Sequence, residues 1–191
     1  MGELRVVIAD QDAQARKTLK AILNQAGHVV VGEAEDALSA LKLVRTRQPE
    51  LVILDARLAV MEGAELGYII EEDGLAPVIL MTPGDQFRNN ESNTERQSFA
   101  FAIKPVTERS LLPIIDIVIK NYTRVRELEQ EVAKLKDTIE TRKLVEKAKG
   151  ILMDRQSISE AEAFKRIQKQ SMNKRVSMRS VAKAIILANE I

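Results

Sequence analysis

Four short stretches place groups capable of chemistry just where apolar runs end. "LRVVIA" leads into Asp10-Gln11-Asp12, "LVILD" closes on Asp55, "PVILMT" closes on Thr82, and "FAFAIK" closes on Lys104, followed by Pro105. If the runs are parallel strands, their carboxyl ends lie along one edge of a sheet, where open α/β folds keep their functional groups. An aspartate, a hydroxyl and a lysine converging near further carboxylates would form a phosphoacceptor site. The carboxylate attacks a phosphoryl donor, a hard divalent cation bridges the oxygens, and the lysine and hydroxyl hold the product. The chain has no cysteine and one histidine, His28, so thiolate and histidine-cluster metal sites are excluded.

A second constellation lies near the other end. "LVEKAKGILMDR" (144–155) favours helix throughout except for Gly150, which costs a helix on the order of 1 kcal/mol relative to alanine. Arg142, Lys149 and Gly150 lie within about two helical turns, and Lys143 and Lys147 are one turn apart. Gly150 would leave a notch where a partner backbone can approach, with lysines placed for phosphates and Arg142 for a base. Two other readings stand beside this one: Gly150 lets the last helix of the chain cross closely, and individual cations, Lys165 and Lys169 above all, are solvated surface charge. "QSMNKR" puts Ser171, Met172, Lys174 and Arg175 at a helix-to-loop corner. Charge supports a division of labour. From Arg142 onward there are 12 Lys/Arg and 5 Asp/Glu, about +7; the remainder carries 29 − 12 = 17 basic and 28 − 5 = 23 acidic residues, about −6. The basic end is the better candidate for a polyanionic partner. With Phe164 its only aromatic, recognition there should lean on charge and hydrogen bonds.

The elements that must position these groups are written plainly. Apolar, β-branched-rich runs at 4–9, 29–34, 51–55, 77–82 and 99–104 suit strands covered on both faces. Helical segments fall between them at 12–26 (Leu19, Ile22, Leu23 inward), 36–48 (Leu38, Leu41, Val44 inward) and about 63–73, with Gly27 ending the first. Five strands alternating with helices predict an α/β, doubly wound, five-stranded parallel sheet. Segment 83–98 carries one large apolar residue, Phe87, and reads as a loop or loosely held helix. From about Ser110, expected as the cap with Pro113 in the first turn, the chain stays helical for some 45 residues. Val125, Leu128, Val132, Leu135 and Ile139 recur at spacings of 3, 4, 3 and 4, a coiled-coil seam. A dimer is the favoured reading; an amphipathic helix lying on its own domain is the other. Two short helices close the chain, one opened by Ser159 and Glu162 as a capping box, the other capped at Ser177. Ala163, Phe164, Ile167, Val181, Ala182, Ile185 and Ile186 supply their apolar faces, completing a three-helix unit. No apolar run reaches bilayer length and the first residues lack a signal-peptide layout, so a cytoplasmic location is expected, without membrane contact.

Over residues 3–122 the chain resembles a response-regulator receiver domain, through Asp10, "LVILDARLAVMEG", "VILMT" and "FAIKP". The resemblance implies Asp55 as phosphate acceptor, Asp10 as a water-mediated magnesium contact, and the Arg57 backbone carbonyl as a ligand. Thr82 and Phe101 would form a switch pair, Lys104 would contact the phosphate, and a sensor kinase or other regulatory protein would be a partner. The chain departs from the pattern where it matters. Gln11 stands where the family has its directly metal-binding aspartate, Leu58-Ala59 replace the usual Met-Pro, and Pro83 follows Thr82. A neutral amide offers oxygen without charge, whereas magnesium usually relies on one or two carboxylates. Two outcomes stay open, a receiver fold that serves as a platform without phosphate and metal-dependent phosphorylation of Asp55.

From about residue 126 the chain resembles the ANTAR domain, the RNA-binding module of transcription antiterminators, most specifically in "AKGILM", "EAF", "SM" and "VAKAI". The implied organisation is a receiver-like domain (1–122), a coiled-coil linker (123–141) and RNA-binding helices (142–191). The implied function is a dimeric regulator that binds paired hairpins in mRNA leaders and stops a terminator forming. Two alternatives are a DNA-binding response regulator with a short helical effector, and a protein-interaction adaptor controlled by a partner on the receiver. Nothing marks the chain as an enzyme beyond self-phosphorylation.

Overall fold

The computed structural model describes residues 2–84 and 100–189. Five strands, β1 (Arg5–Ala9), β2 (Val29–Ala34), β3 (Leu51–Asp55), β4 (Val78–Pro83) and β5 (Ala100–Lys104), form one parallel sheet in the order β2-β1-β3-β4-β5. Between them run α1 (Ala13–Gln25), α2 (Ala37–Arg47) and α3 (Gly63–Glu72); α4 (Glu108–Gln156), α5 (Glu160–Lys174) and α6 (Met178–Leu187) follow. The doubly wound expectation holds. Pro83 closes β4, whereas 85–98, expected as loop or loose helix, lies outside the described residues.

Strand side chains alternate between faces, and here both faces are covered. Val7, Ala9, Val52, Leu54, Val78 and Leu80 join Ala37, Ala40, Val44, Leu66 and Ile70 of α2 and α3. Val6, Ile8, Leu51, Ile53, Ile79 and Met81 join Leu19 and Leu23 of α1 and Leu111 and Ile115 of α4. This is why the strands read as unbroken apolar runs rather than alternating ones. Leu38 corrects the expectation for α2: it is exposed, and Ala37 and Ala40 turn inward instead.

Asp12 caps α1, its carboxylate accepting from the Gln14 N–H at 2.8 Å, and Asp36 caps α2 through the Ser39 N–H at 2.8 Å. The cap of α4 is Thr107, not Ser110. The Leu111 N–H donates to the Thr107 carbonyl at 2.9 Å and the Ser110 N–H to the Thr107 hydroxyl at 3.2 Å. Pro113 therefore lies past the first turn, and the Arg109 carbonyl finds no helical N–H. Both residues are exposed, which leaves that carbonyl to water.

The chain divides into two compact units, residues 1–125 and 126–191, with the division inside α4. In the second, Val145, Ala148 and Leu152 of α4 pack with Ala163 and Ile167 of α5 and Val181, Ala182 and Ile186 of α6. Ser159 and Glu162 form the expected capping box, and Ser177 caps α6. Phe164, expected in this core, stays 40% exposed. Among the described residues no helix is long and apolar enough to cross a membrane.

Candidate functional sites: an acidic pocket and a basic helical unit

Strand pairing brings the ends of β1, β3 and β5 together. Asp10 and Asp55 are buried, and the Lys104 ammonium donates to both, at 2.7 Å to Asp10 Oδ2 and 2.5 Å to Asp55 Oδ2. Burial alone pushes the Lys104 pKa down, but hydrogen bonds and charge from the two carboxylates outweigh it and hold the pKa above the ordinary lysine value. The remaining carboxylate oxygens are also engaged. Asp10 Oδ1 accepts the Asp12 N–H at 2.9 Å and Asp55 Oδ1 accepts the Arg57 N–H at 3.1 Å.

Gln11 supplies the decisive contact. Its side-chain amide donates to the Arg57 carbonyl at 3.2 Å, the oxygen the receiver pattern assigns to the metal. Asp12 lies beside the pocket, its N–H on Asp10 Oδ1, while one of its carboxylate oxygens caps α1. The oxygens at this edge do not fit the receiver pattern's magnesium site: its third carboxylate is replaced by an amide, Lys104 holds the two that remain, and the backbone ligand is taken. Among the described residues no cluster of three or more acidic or histidine side chains is spaced to hold a metal.

Thr82 is buried at the end of β4, its hydroxyl 3.4 Å from the Pro83 carbonyl. Phe101 is partly buried against the α2/α3 side of the sheet, level with Leu80. Sequence reasoning missed Gly63. A Cβ there would sit 1.9 Å from the Asp55 carbonyl oxygen, so only glycine lets α3 start directly against the acidic strand end. Its signal was present as the glycine that follows Met61-Glu62.

In the second unit the cations differ in exposure. Lys149 is committed, which corrects its expected role as an exposed phosphate contact. Its side chain is 8% exposed, and the ammonium meets Glu146 at 2.8 Å and Glu160 at 2.6 Å, tying α4 to α5. Hydrogen bonds to these two carboxylates hold its pKa above the ordinary lysine value. Ser171 is half-buried and its hydroxyl donates to the Val176 carbonyl at 2.5 Å, closing the end of α5. Arg142, Lys143, Lys147, Met172, Lys174 and Arg175 face solvent. Arg175 caps α5 in the left-handed conformation at φ 52°, making the expected corner. Gly150 has nothing within 4 Å of an added Cβ, so the last helix does not cross against it and its notch opens outward. The seam residues Val125, Leu128, Val132, Leu135 and Ile139 are all exposed, between 43% and 56%.

Family models place a response regulator receiver domain on residues 6–116 and an ANTAR domain on residues 133–186. The chain belongs to the response regulators that carry a receiver and an ANTAR domain. The transcriptional regulatory protein PdtaR of Mycobacterium tuberculosis (strain ATCC 25618 / H37Rv) is 34% identical over 182 residues, covering 95% of this chain and 89% of that protein. The Nitrate regulatory protein of Klebsiella oxytoca is 28% identical over 68% of this chain and 31% of its own length. Among solved structures, the signal receiver domain of the putative response regulator NarL from Mycobacterium tuberculosis aligns with a TM-score of 0.54 at 25% identity, covering 64% of this chain and 98% of that one. NtrX from Brucella abortus aligns with a TM-score of 0.57 at 25% identity, over 70% of this chain and 29% of its own. This receiver–ANTAR response regulator thus has the sheet of its receiver relatives.

Proposed function

We propose that this response regulator is a non-enzymatic, cytoplasmic transcription antiterminator that binds hairpins in mRNA leaders as a dimer. The carrying observation is an ANTAR domain in which Arg142, Lys143, Lys174 and Arg175 face solvent and the Gly150 notch is open. The five exposed seam residues support pairing. Burying large apolar side chains that stand half-exposed contributes roughly 1 kcal/mol each. Two joined modules meeting two hairpins also gain effective concentration without new contacts. In this reading the acidic pocket is a metal-independent platform. Lys104 balances part of the carboxylate charge, Gln11 holds the Arg57 carbonyl, and a regulatory protein rather than phosphate engages the domain.

Gel shifts with untranslated leaders from the source genome test the proposal. Specific leaders should bind, with affinity falling steeply as salt rises, because phosphate contacts release counterions. Equal affinity for unrelated RNA, or preference for duplex DNA, would overturn it and favour the DNA-binding reading.

A further inference from the structure

Resting on the RNA-binding reading, we propose that Phe164 is a stacking platform for an unpaired RNA base, on a strip of α5 formed by Phe164, Gln168 and Met172. Phe164 is the only aromatic residue from Arg142 to the end of the chain. In a small unit short of apolar mass it would be expected inside. Yet Ala163 and Ile167 fill the α5 side of the core and Phe164 stays 40% exposed. Residues 164, 168 and 172 are spaced i, i+4 and i+8, so they share one line along the helix surface. Gln168 is exposed and Met172 is 69% exposed, so the line is an aromatic ring, an amide and a thioether in succession, all open to solvent.

The charge around this strip chooses its occupant. Lys165 and Lys169 run beside it and Arg175 closes its end, all three exposed. The nearby acids are already used, Glu160 by Lys149 and Glu162 by the Ser159 cap. A second copy of the chain would bring like charges together, whereas a polyanion is drawn in. Unpaired RNA bases are recognised by stacking on aromatic side chains and by hydrogen bonds to their edges. Phe164 supplies the first and Gln168 the second, with lysines beside them for the backbone phosphates. Gly150 and its neighbouring cations would then hold the stem backbone while the α5 strip receives a loop base.

The test uses the full chain and a tandem stem-loop RNA selected from a randomised-loop library against the wild-type protein. Phe164→Ala should weaken binding roughly ten- to hundredfold, the loss expected for one stacked base, and leave the salt slope unchanged because no phosphate contact is removed. Phe164→Tyr should bind like wild type. The chain has no tryptophan, so Phe164→Trp gives a single indole, excited selectively over the tyrosines, whose emission should be quenched by the selected RNA. A folded Phe164→Ala protein that binds within twofold of wild type overturns the inference. Should Phe164→Ala fail to fold, Trp emission unmoved by bound RNA overturns it equally. A library yielding no binder to wild type overturns the RNA-binding reading itself, a distinct result.

Discussion

At the scale of single residues, Gln11 decides what the receiver pocket can do. Its amide satisfies the Arg57 carbonyl but adds no charge beside Asp10 and Asp55. Gln11→Asp would add a third carboxylate beside Asp10 and Asp55 and free that carbonyl, so the variant should show saturable magnesium binding by titration calorimetry. The wild-type chain should show none, and wild-type binding at submillimolar magnesium would defeat the platform reading. Lys149 gives the opposite lesson. From the sequence it reads as a cation beside a glycine notch, but its partner Glu160 lies across the α4–α5 turn, where helical periodicity gives no information. Asp12 and Gln11 are adjacent and similar on paper. What separates them is that one side chain starts α1 while the other reaches β3's loop. Such roles depend on where a side chain ends, and the sequence specifies only where it begins.

Elements were far more legible. Strand runs buried on both faces and punctuated by acids and the capping box at Ser159 are local patterns with local causes. The misses were displacements of one to three residues: Leu38 exposed where Ala37 and Ala40 turn inward in α2, Phe164 exposed next to the buried Ala163 in α5, and Thr107 instead of Ser110 at the start of α4. An apolar count cannot distinguish the centre of a helix face from its flank. The Lys149–Glu160 tie makes a pH prediction for the α4–α5 pair. Its hydrogen bond and charge from Lys149 hold the Glu160 pKa below the ordinary 4.5. Stability from a lowered carboxylate pKa is present above the unfolded value and is lost as pH falls through the folded one. The Lys149 pKa is raised, so its share persists up to the ordinary 10.5 and fades beyond, as pH passes the folded value. Glu160→Gln should therefore lower the melting temperature at pH 7 and converge on wild type at low pH, read by circular dichroism. Parallel curves down to pH 3 would mean the tie contributes nothing. For the seam, Leu128→Lys with Leu135→Lys should shift sedimentation from dimer to monomer and weaken tandem-hairpin binding more than single-hairpin binding. A dimer that survives both changes pairs through another surface.

For the whole molecule, two units of opposite charge share one helix and one chain. If the receiver is a platform, Asp55→Asn should leave RNA affinity within twofold of wild type, and a small-molecule phosphoryl donor should change neither protein's gel shift. A donor-dependent gain in wild type that the variant lacks would establish phosphorylation instead. Both halves were recognisable from short motifs, and the family comparison agrees. What the motifs alone could not reveal is how far the acidic edge satisfies itself through Lys104 and Gln11.

The hydrogen bond from Gln11 to the Arg57 carbonyl reaches beyond the pocket. If the receiver is a platform, a regulator whose switch is filled by its own side chains has no off position to be released from. Its activity would then follow the amount of protein in the cell, through the mass action of pairing, and transcription of its own gene would become the dial.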